Sequence, residues 1–263
     1  MRDLSYENRF GGIERVLGTG ALGRLEAAHV MVVGLGGVGS WAVEALARSG
    51  IGTLSLVDLD DVCATNTNRQ LHALDPEWGR LKVEVLAERA ARIQPRVVIH
   101  AHADFFTAKS AEALLASSPT MVIDAMDSVA DKVALVLACR RLAIPLVLSG
   151  GAGGKSDPTK VRTADLARET GDSLLKSVKR QLKNQGVRPD EKGLWNLSCV
   201  YSEEPSVLPW DVCSAVPRPD EGGSSRIDCA AGFGALAFAT GAFGLALASH
   251  VVLSLVNKRK LAD

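Results

Sequence analysis

The chain has 263 residues, and its 30 Lys and Arg balance 30 Asp and Glu, so there is no formal net charge at pH 7. Bulk attraction to nucleic acid or to an anionic membrane is thereby excluded, and any polyanion must be held by a local patch. Apolar residues make up 47% of the chain, which excludes a disordered protein and supports one large α/β domain or two small ones.

Residues 1–28 read as a helical segment in which Phe10, Ile13, Val16 and Leu17 form an apolar stripe, with Arg9 and Arg15 beside it. The opening MRDLSYENRF lacks a charged-then-apolar export pattern, so a cytoplasmic protein is expected. The five cysteines, Cys63, Cys139, Cys199, Cys213 and Cys229, are odd in number and widely spaced. That suits a reducing compartment better than a disulfide framework, and without a C-x-x-C pair no structural zinc is expected.

The stretch from His29 to Asp60 organises the rest. Val30 to Val33 is an apolar run of strand length. Gly34, Gly36 and Gly39 follow in G-x-G-x-x-G spacing with an extra Gly37. Trp41 to Ala47 continues at helical periodicity, and a second apolar strand, Thr53 to Val57, ends in Asp58-Leu59-Asp60. A strand, a glycine turn, a helix and an acid-tipped strand form a unit in which backbone N–H groups can approach a phosphate at the helix N-terminus. The acid can then bind ribose hydroxyls. A glycine turn kept only for helix–sheet packing is the bland alternative.

The loop after Asp60 crowds Asn66, Asn68, Arg69 and Gln70 into five positions, where a parallel sheet delivers its ligand-binding edge. An amphipathic helix is expected over Gly79 to Ile93, with Lys82 near its start. A cation there opposes the helix dipole, which hints at an anionic partner. Strands are expected at Val97 to Ala101, Thr120 to Ala125 and Ile144 to Leu148, with helices at Thr107 to Ser117 and 129–142. This alternation predicts a doubly wound, mostly parallel sheet, with residues 29–150 as its nucleotide-binding core. Asp127 falls on the same edge, where it could hold Mg²⁺ beside phosphates or cap the next helix.

Residues 151–263 are expected to continue the same domain. Val161 to Leu166 and Leu194 to Val200 read as strands. Between them, Gly171 to Gln185 is amphipathic, with Leu174, Leu175, Val178 and Leu182 on one side and Lys176, Lys179, Arg180 and Lys183 on the other. The cationic side is either a solvated face or a phosphate-contacting one. Residues 203–228, with Pro and Gly-Gly, read as a long loop. Cys229 to Val256 is an uncharged run long enough to span a membrane, yet rich in Ala and Gly. A helix buried in the protein, at a subunit interface, is expected instead.

Five motifs in order, Gly34 to Ser40, Asp58 to Asp60, Asn66 to Gln70, Gly79 to Lys82 and Asp124 to Asp127, resemble the ubiquitin-activating-enzyme superfamily with its sulfur-carrier adenylyltransferases. That resemblance implies a Rossmann-like homodimer that binds ATP and Mg²⁺ and adenylates a carboxylate. It implies further that Gly34, Gly36, Gly37 and Gly39 carry the phosphates and Asp58, with Asp60, the ribose end. Asn66, Asn68, Arg69, Gln70 and Lys82 would hold the triphosphate, and Asp127 the metal. The opening RFGGIERVLG, the segment after residue 150 and the terminal GFGALAFATGAFG look like the tRNA threonylcarbamoyladenosine dehydratase branch. The implied reaction is ATP-dependent cyclisation of the threonylcarbamoyl group on the adenosine next to the anticodon, with Arg69, Lys82 and Asp127 as workers. The four cations of residues 171–185 would then meet tRNA, and Cys229 is either a candidate thiol for a sulfur-transfer partner or a buried structural thiol. Two other activities fit parts of the pattern: adenylation of a ubiquitin-like sulfur carrier's C-terminal glycine, and nicotinamide-dependent oxidoreduction. The paired zinc cysteines usual in sulfur-carrier enzymes are missing, and their subunit-crossing arginine is not carried over to Arg9.

Overall fold

The computed structural model describes residues 5–212 and 234–257. Two helices open the chain, α1 (Tyr6–Leu17) and α2 (Ala21–Glu26). Ser5 caps α1 by accepting from Asn8 N. The expected stripe is shifted: Tyr6 and Phe10 are buried, and Val16 is 81% exposed. Tyr6 Oη donates to the Gly50 carbonyl, and burial pushes its pKa up to about 12.

Next come β1 (His29–Val33), α3 (Gly39–Arg48), β2 (Thr53–Val57), α4 (Lys82–Ile93), β3 (Val98–His102), α5 (Ala111–Leu115), β4 (Met121–Asp124), α6 (Val129–Leu142) and β5 (Leu146–Ser149). The final part holds β6 (Val161–Asp165), α7 (Ser173–Asn184), β7 (Ser198–Ser202), a short α8 (Pro209–Val212) and α9 (Ala237–Asn257). One seven-stranded sheet has the order β3-β2-β1-β4-β5-β7-β6. Every pairing is parallel except β6 with β7. The mostly apolar strands β1, β4 and β5 are buried on both faces apart from the half-buried His29, as helices on both sides require. Edge strand β3 is mostly exposed, with His100 and His102 among its alternating residues.

The elements are shorter than the periodicity suggests. The helix expected from Gly79 starts at Lys82, because Leu81 is extended at its N-cap. The one expected over Thr107 to Ser117 covers only Ala111–Leu115, because Thr107 and Ser110 bond to each other in a turn. Within the expected loop 203–228, α8 is helical, and residues 213–228 lie outside the described part.

Within the C-terminal run, whose residues 229–233 lie outside the described part, α9 packs on the protein itself. Phe243, Leu247 and Val251 of α9 are fully buried, and Gly241 faces the Trp41 ring of α3 at 3.6 Å for the nearest built Cβ contact. Although α9 is long and apolar enough to cross a membrane, over half of that window is buried inside the fold. Its other side is open: Phe238 and Leu245 are 54% and 52% exposed.

Candidate active site

The chain reverses its direction of travel across the sheet at β1. From β1 it proceeds to β2 and β3 on one side, then crosses to β4 and β5 on the other. Such a reversal opens a crevice at the carboxyl ends of the strands. Register places Val33 beside both Val57 and Asp124, so the residues following β1, β2 and β4 share one edge.

The glycine turn is locked into that edge. Gly34 sits at φ 87°, in the left-handed region, and a Cβ there would lie 2.9 Å from the Ala125 carbonyl. A Cβ on Gly39 would lie 1.8 Å from the Gly34 oxygen. These two glycines serve the tightness of the turn. Gly36 and Gly37 instead border the polar loop: their built Cβ positions lie 3.8 Å from Gln70 Nε2 and 3.4 Å from Arg69 Cγ. Asp58 holds the turn from the next strand, accepting from Leu35 N at 2.6 Å and, through its other oxygen, from Asp60 N at 2.8 Å. Burial raises the Asp58 pKa, and Lys82 and these two N–H bonds oppose the shift. A carboxylate has about four acceptor positions, so both oxygens keep capacity for a ribose.

The polar loop contains a single 3₁₀ turn, Ala64–Asn66, with Asn66 buried and accepting from Cys63 N. Asn68 donates to Ala235 O at 2.8 Å, ahead of α9, and its Oδ1 accepts from Arg69 Nη1 at 3.0 Å. The Arg69 carbonyl accepts from Trp41 Nε1 and from Thr240 Oγ1, each at 3.2 Å, so α3 and α9 together fix the loop. Gln70 is 7% exposed and its Oε1 has no partner among the described residues.

Lys82 is the first residue of α4, buried to 5% exposure, and its ammonium meets Asp60 at 2.7 Å. Its backbone N–H also bonds to Asp60 O at 3.0 Å. Close by is His72, 1% exposed, with neither ring nitrogen bonded among the described residues. Burial, reinforced by the Lys82 charge, lowers its pKa to about 4, so the ring is neutral. Asp127 is exposed and has no ion pair or hydrogen bond among the described residues. The capping alternative goes to its neighbour: Ser128 is the N-cap of α6 and accepts from Asp131 N.

Two features of this edge had no signal in the sequence. Asp124 and Lys132 are both fully buried and form an ion pair at 3.1 Å, while Lys132 Nζ donates to Ser149 O at 2.7 Å. Asp124 Oδ1 accepts from Met126 N at 3.0 Å, which shapes the loop carrying Asp127. His72 is the other; a buried neutral ring cannot be told from a surface one by pattern.

The cations of α7 do not join this edge. Lys176, Lys179, Arg180 and Lys183 line a separate groove of about 450 Å³, floored by Gly193 and Trp195. Leu175, Val178 and Leu182 are fully buried beneath them. Lys179 stands apart from the other three, since Glu169, outside the helix, pairs with it at 2.5 Å. Of the cysteines, Cys139 and Cys199 are buried, with pKa values raised by burial, to about 12 for Cys139. Cys229 lies outside the described residues. Among the described residues no cluster of His, Cys, Asp and Glu could hold a metal by itself.

A glycine turn, an acid-tipped second strand and a buried lysine aimed at one sheet edge define a nucleotide-binding Rossmann-like protein. The chain belongs to the ThiF family, whose model matches residues 9–262. It is 44% identical over 258 residues to the tRNA threonylcarbamoyladenosine dehydratase of Escherichia coli (strain K12), covering 97% of this chain and 96% of that protein. Against the protein of the same name from Haemophilus influenzae, identity is 41%, with the same coverage. The crystal structure of the E. coli dehydratase TcdA in complex with ATP matches with a TM-score of 0.86 at 41% identity, over 98% of both chains. The resemblance read from the motifs holds along the whole chain, including the segments after residue 150.

Proposed function

We propose that this chain is an ATP-dependent enzyme that dehydrates, and so cyclises, N6-threonylcarbamoyladenosine next to the anticodon of tRNA. The observation that carries this is likeness over nearly the full length of both chains to dehydratases of that name, one of them solved with ATP. The sulfur-carrier alternative has no comparable support, and a dinucleotide would leave the polar loop and Lys82 without a task.

The chemistry explains the need for ATP. A carboxylate is a poor electrophile because oxide is a poor leaving group. Attack of the threonyl carboxylate on the α-phosphorus expels pyrophosphate and leaves an acyl adenylate. Attack by the neighbouring carbamoyl group then closes the ring and expels AMP, which carries the carboxylate oxygen away. Ring closure is intramolecular and needs mainly correct placement. The protein's task is therefore to bind charge and orient groups.

In this reading Gly36 and Gly37 present backbone N–H groups to the phosphates, and Asp58 accepts from the ribose. Asn66, Asn68, Arg69, Gln70 and Lys82 surround the triphosphate. Asp127 fits Mg²⁺ as one carboxylate ligand, since its oxygens have no partner among the described residues and phosphate oxygens complete such sites. When bound, the ion supplies charge neutralisation at the departing pyrophosphate. No step requires a thiol or a sulfur-transfer partner, so Cys229 has no covalent part.

The tRNA is assigned to the α7 groove, and the enzyme to the cytoplasm. A second copy of the chain is assigned to the apolar face formed by α1 and α9, where Val16 and Leu245 are exposed beside a groove of about 400 Å³. Light scattering should give the mass of a dimer. The central test is incubation with ATP and tRNA bearing threonylcarbamoyladenosine, followed by nucleoside mass measurement. Loss of one water per modified nucleoside, with AMP formed, is expected. AMP transfer to a sulfur carrier's C-terminus with unchanged tRNA would establish the alternative.

A further inference from the structure

We infer that Asp172 is a positioning residue that holds the cationic groove of α7 in fixed register with the nucleotide edge of the sheet. The inference rests on the assignment of tRNA to that groove and explains how a substrate held there presents its carboxylate to ATP.

Asp172 is the N-cap of α7 and is 4% exposed. Its two carboxylate oxygens do different things. Oδ1 accepts from Leu175 N at 3.0 Å, which is all that capping requires. Oδ2 reaches out of the helix and accepts from Gly151 N at 2.8 Å, in the loop that follows β5. The approach is close: a Cβ on Gly150 would lie 2.2 Å from this oxygen. A capping role alone explains neither the second bond nor the burial of a charged group, which is costly unless its bonds are needed.

The loop it grips belongs to the nucleotide edge. Leu148 pairs with Asp124, so Ser149 and Gly150 lie one strand from the segment leading to Asp127, about 4.8 Å away in the sheet. Lys132 closes that gap, bonding to Ser149 O and pairing with Asp124. Ala125 in turn backs the glycine turn at Gly34. A continuous path thus runs from the glycine turn through Asp124, Lys132 and Gly151 to Asp172 and the helix.

The cap is itself held by the segment that precedes it. Glu169, 6% exposed, accepts from Asp172 N at 2.6 Å through one oxygen and pairs with Lys179 through the other. Asp172 and Lys179 are thus tied together through the segment that precedes α7, while Lys176, Arg180 and Lys183 stay exposed.

Two variants separate positioning from capping. Asp172→Ser keeps an N-cap hydroxyl but cannot serve Leu175 and Gly151 together. Asp172→Asn keeps the size and caps as well, but turns one acceptor into a donor. Both are to be measured for tRNA affinity, ATP affinity by calorimetry, and kcat of cyclisation at saturating tRNA and ATP. Misplacement of a reacting group lowers rate rather than affinity, so kcat should fall roughly tenfold to a hundredfold with both affinities within about twofold. Unchanged kcat in both variants would overturn the inference. So would parallel loss of ATP or tRNA affinity, because a binding site, not a register, would then be damaged. The groove assignment is tested separately with Lys176→Ala/Arg180→Ala: unchanged tRNA affinity there removes the groove from tRNA binding, and the positioning role with it.

Discussion

Two buried lysines at the carboxyl edge of the sheet are used in opposite ways. Lys82 opens α4 and Lys132 lies four residues into α6; they are 5% and 0% exposed. Lys132 is sealed, with Asp124 equally buried and a second bond to Ser149 O. Lys82 is half open, because its partner's side chain, that of Asp60, is 57% exposed and faces the site. An ammonium has three donors. The sealed lysine makes both its contacts with buried groups, while the open one pairs with a carboxylate turned toward solvent. Burial alone therefore does not tell the two lysines apart; the exposure of the partner does.

The largest effect should come from breaking the sealed pair. Lys132→Met leaves Asp124 buried and uncompensated, and about 3–5 kcal/mol of stability should be lost. Adding Asp124→Asn should restore much of it, since a neutral pair has no charge to strand. Denaturant titration of both variants checks this, and a single variant as stable as the parent would remove the pair from the fold's support. Lys82→Ala is expected to behave the other way. Asp60 can turn to water, so folding should change little, while kcat/KM for cyclisation falls roughly 10²- to 10³-fold. Full turnover at saturating ATP in a folded Lys82→Ala protein would take the open lysine out of the mechanism.

His72 sharpens the contrast through pH. Its folded pKa of about 4 lies below the ordinary 6.5. Between those values the unfolded chain binds a proton that the folded one refuses, so stability falls as pH drops from 6.5 to about 4 and levels off below. The difference corresponds to about 3 kcal/mol. Asp58 and Asp172, with pKa values raised by burial, contribute in the opposite sense and lose stability as pH rises through their folded values. The His72 share is therefore read as the difference between the parent and His72→Leu, whose melting temperature should depend less on pH across that window. Equal slopes would mean that the ring gains a proton or a partner in the folded state.

Much of the nucleotide edge was legible in the sequence because its signals are local. Gly34, Gly36 and Gly39 fall within six positions, the acid ends the next apolar run, and the polar loop follows directly. Strand and helix order followed from apolar periods, with ends displaced where a turn or an extended cap cut an element short, as at Leu81 and Thr107. What stayed hidden is tertiary. Lys132 reaches Asp124 and Ser149 only because α6 returns over two neighbouring strands. Asp172 meets Gly151 across 21 residues, and Glu169 meets Lys179 from outside the helix. In each case a charged residue that reads as surface in one dimension finds its partner only once the sheet is assembled. Tyr6 is similar: it joined no apolar stripe, yet it anchors α1 by its bond to Gly50.

The same distinction between open and sealed cations divides α7, and there it gives the smallest and most specific effect. Lys176, Arg180 and Lys183 are exposed, whereas Lys179 is engaged by a Glu169 that is nearly buried. A chain without net charge can hold a polyanion only where cations are concentrated and free. Each phosphate contact releases counterions, so its removal shows in the salt dependence of binding more cleanly than in affinity at one salt. Lys176→Ala/Arg180→Ala should thus weaken tRNA binding and make the slope of log affinity against log salt shallower by roughly one to two units, with ATP affinity unchanged. Lys179→Ala should leave that slope nearly as it was and instead lower stability, because it strands the Glu169 carboxylate in the interior. If all the cations changed the slope equally, Glu169 would have to release Lys179 when tRNA binds, and Lys179 would leave the sealed class. If neither variant changed it, the face would be solvated surface and the tRNA would have to be held elsewhere on the chain.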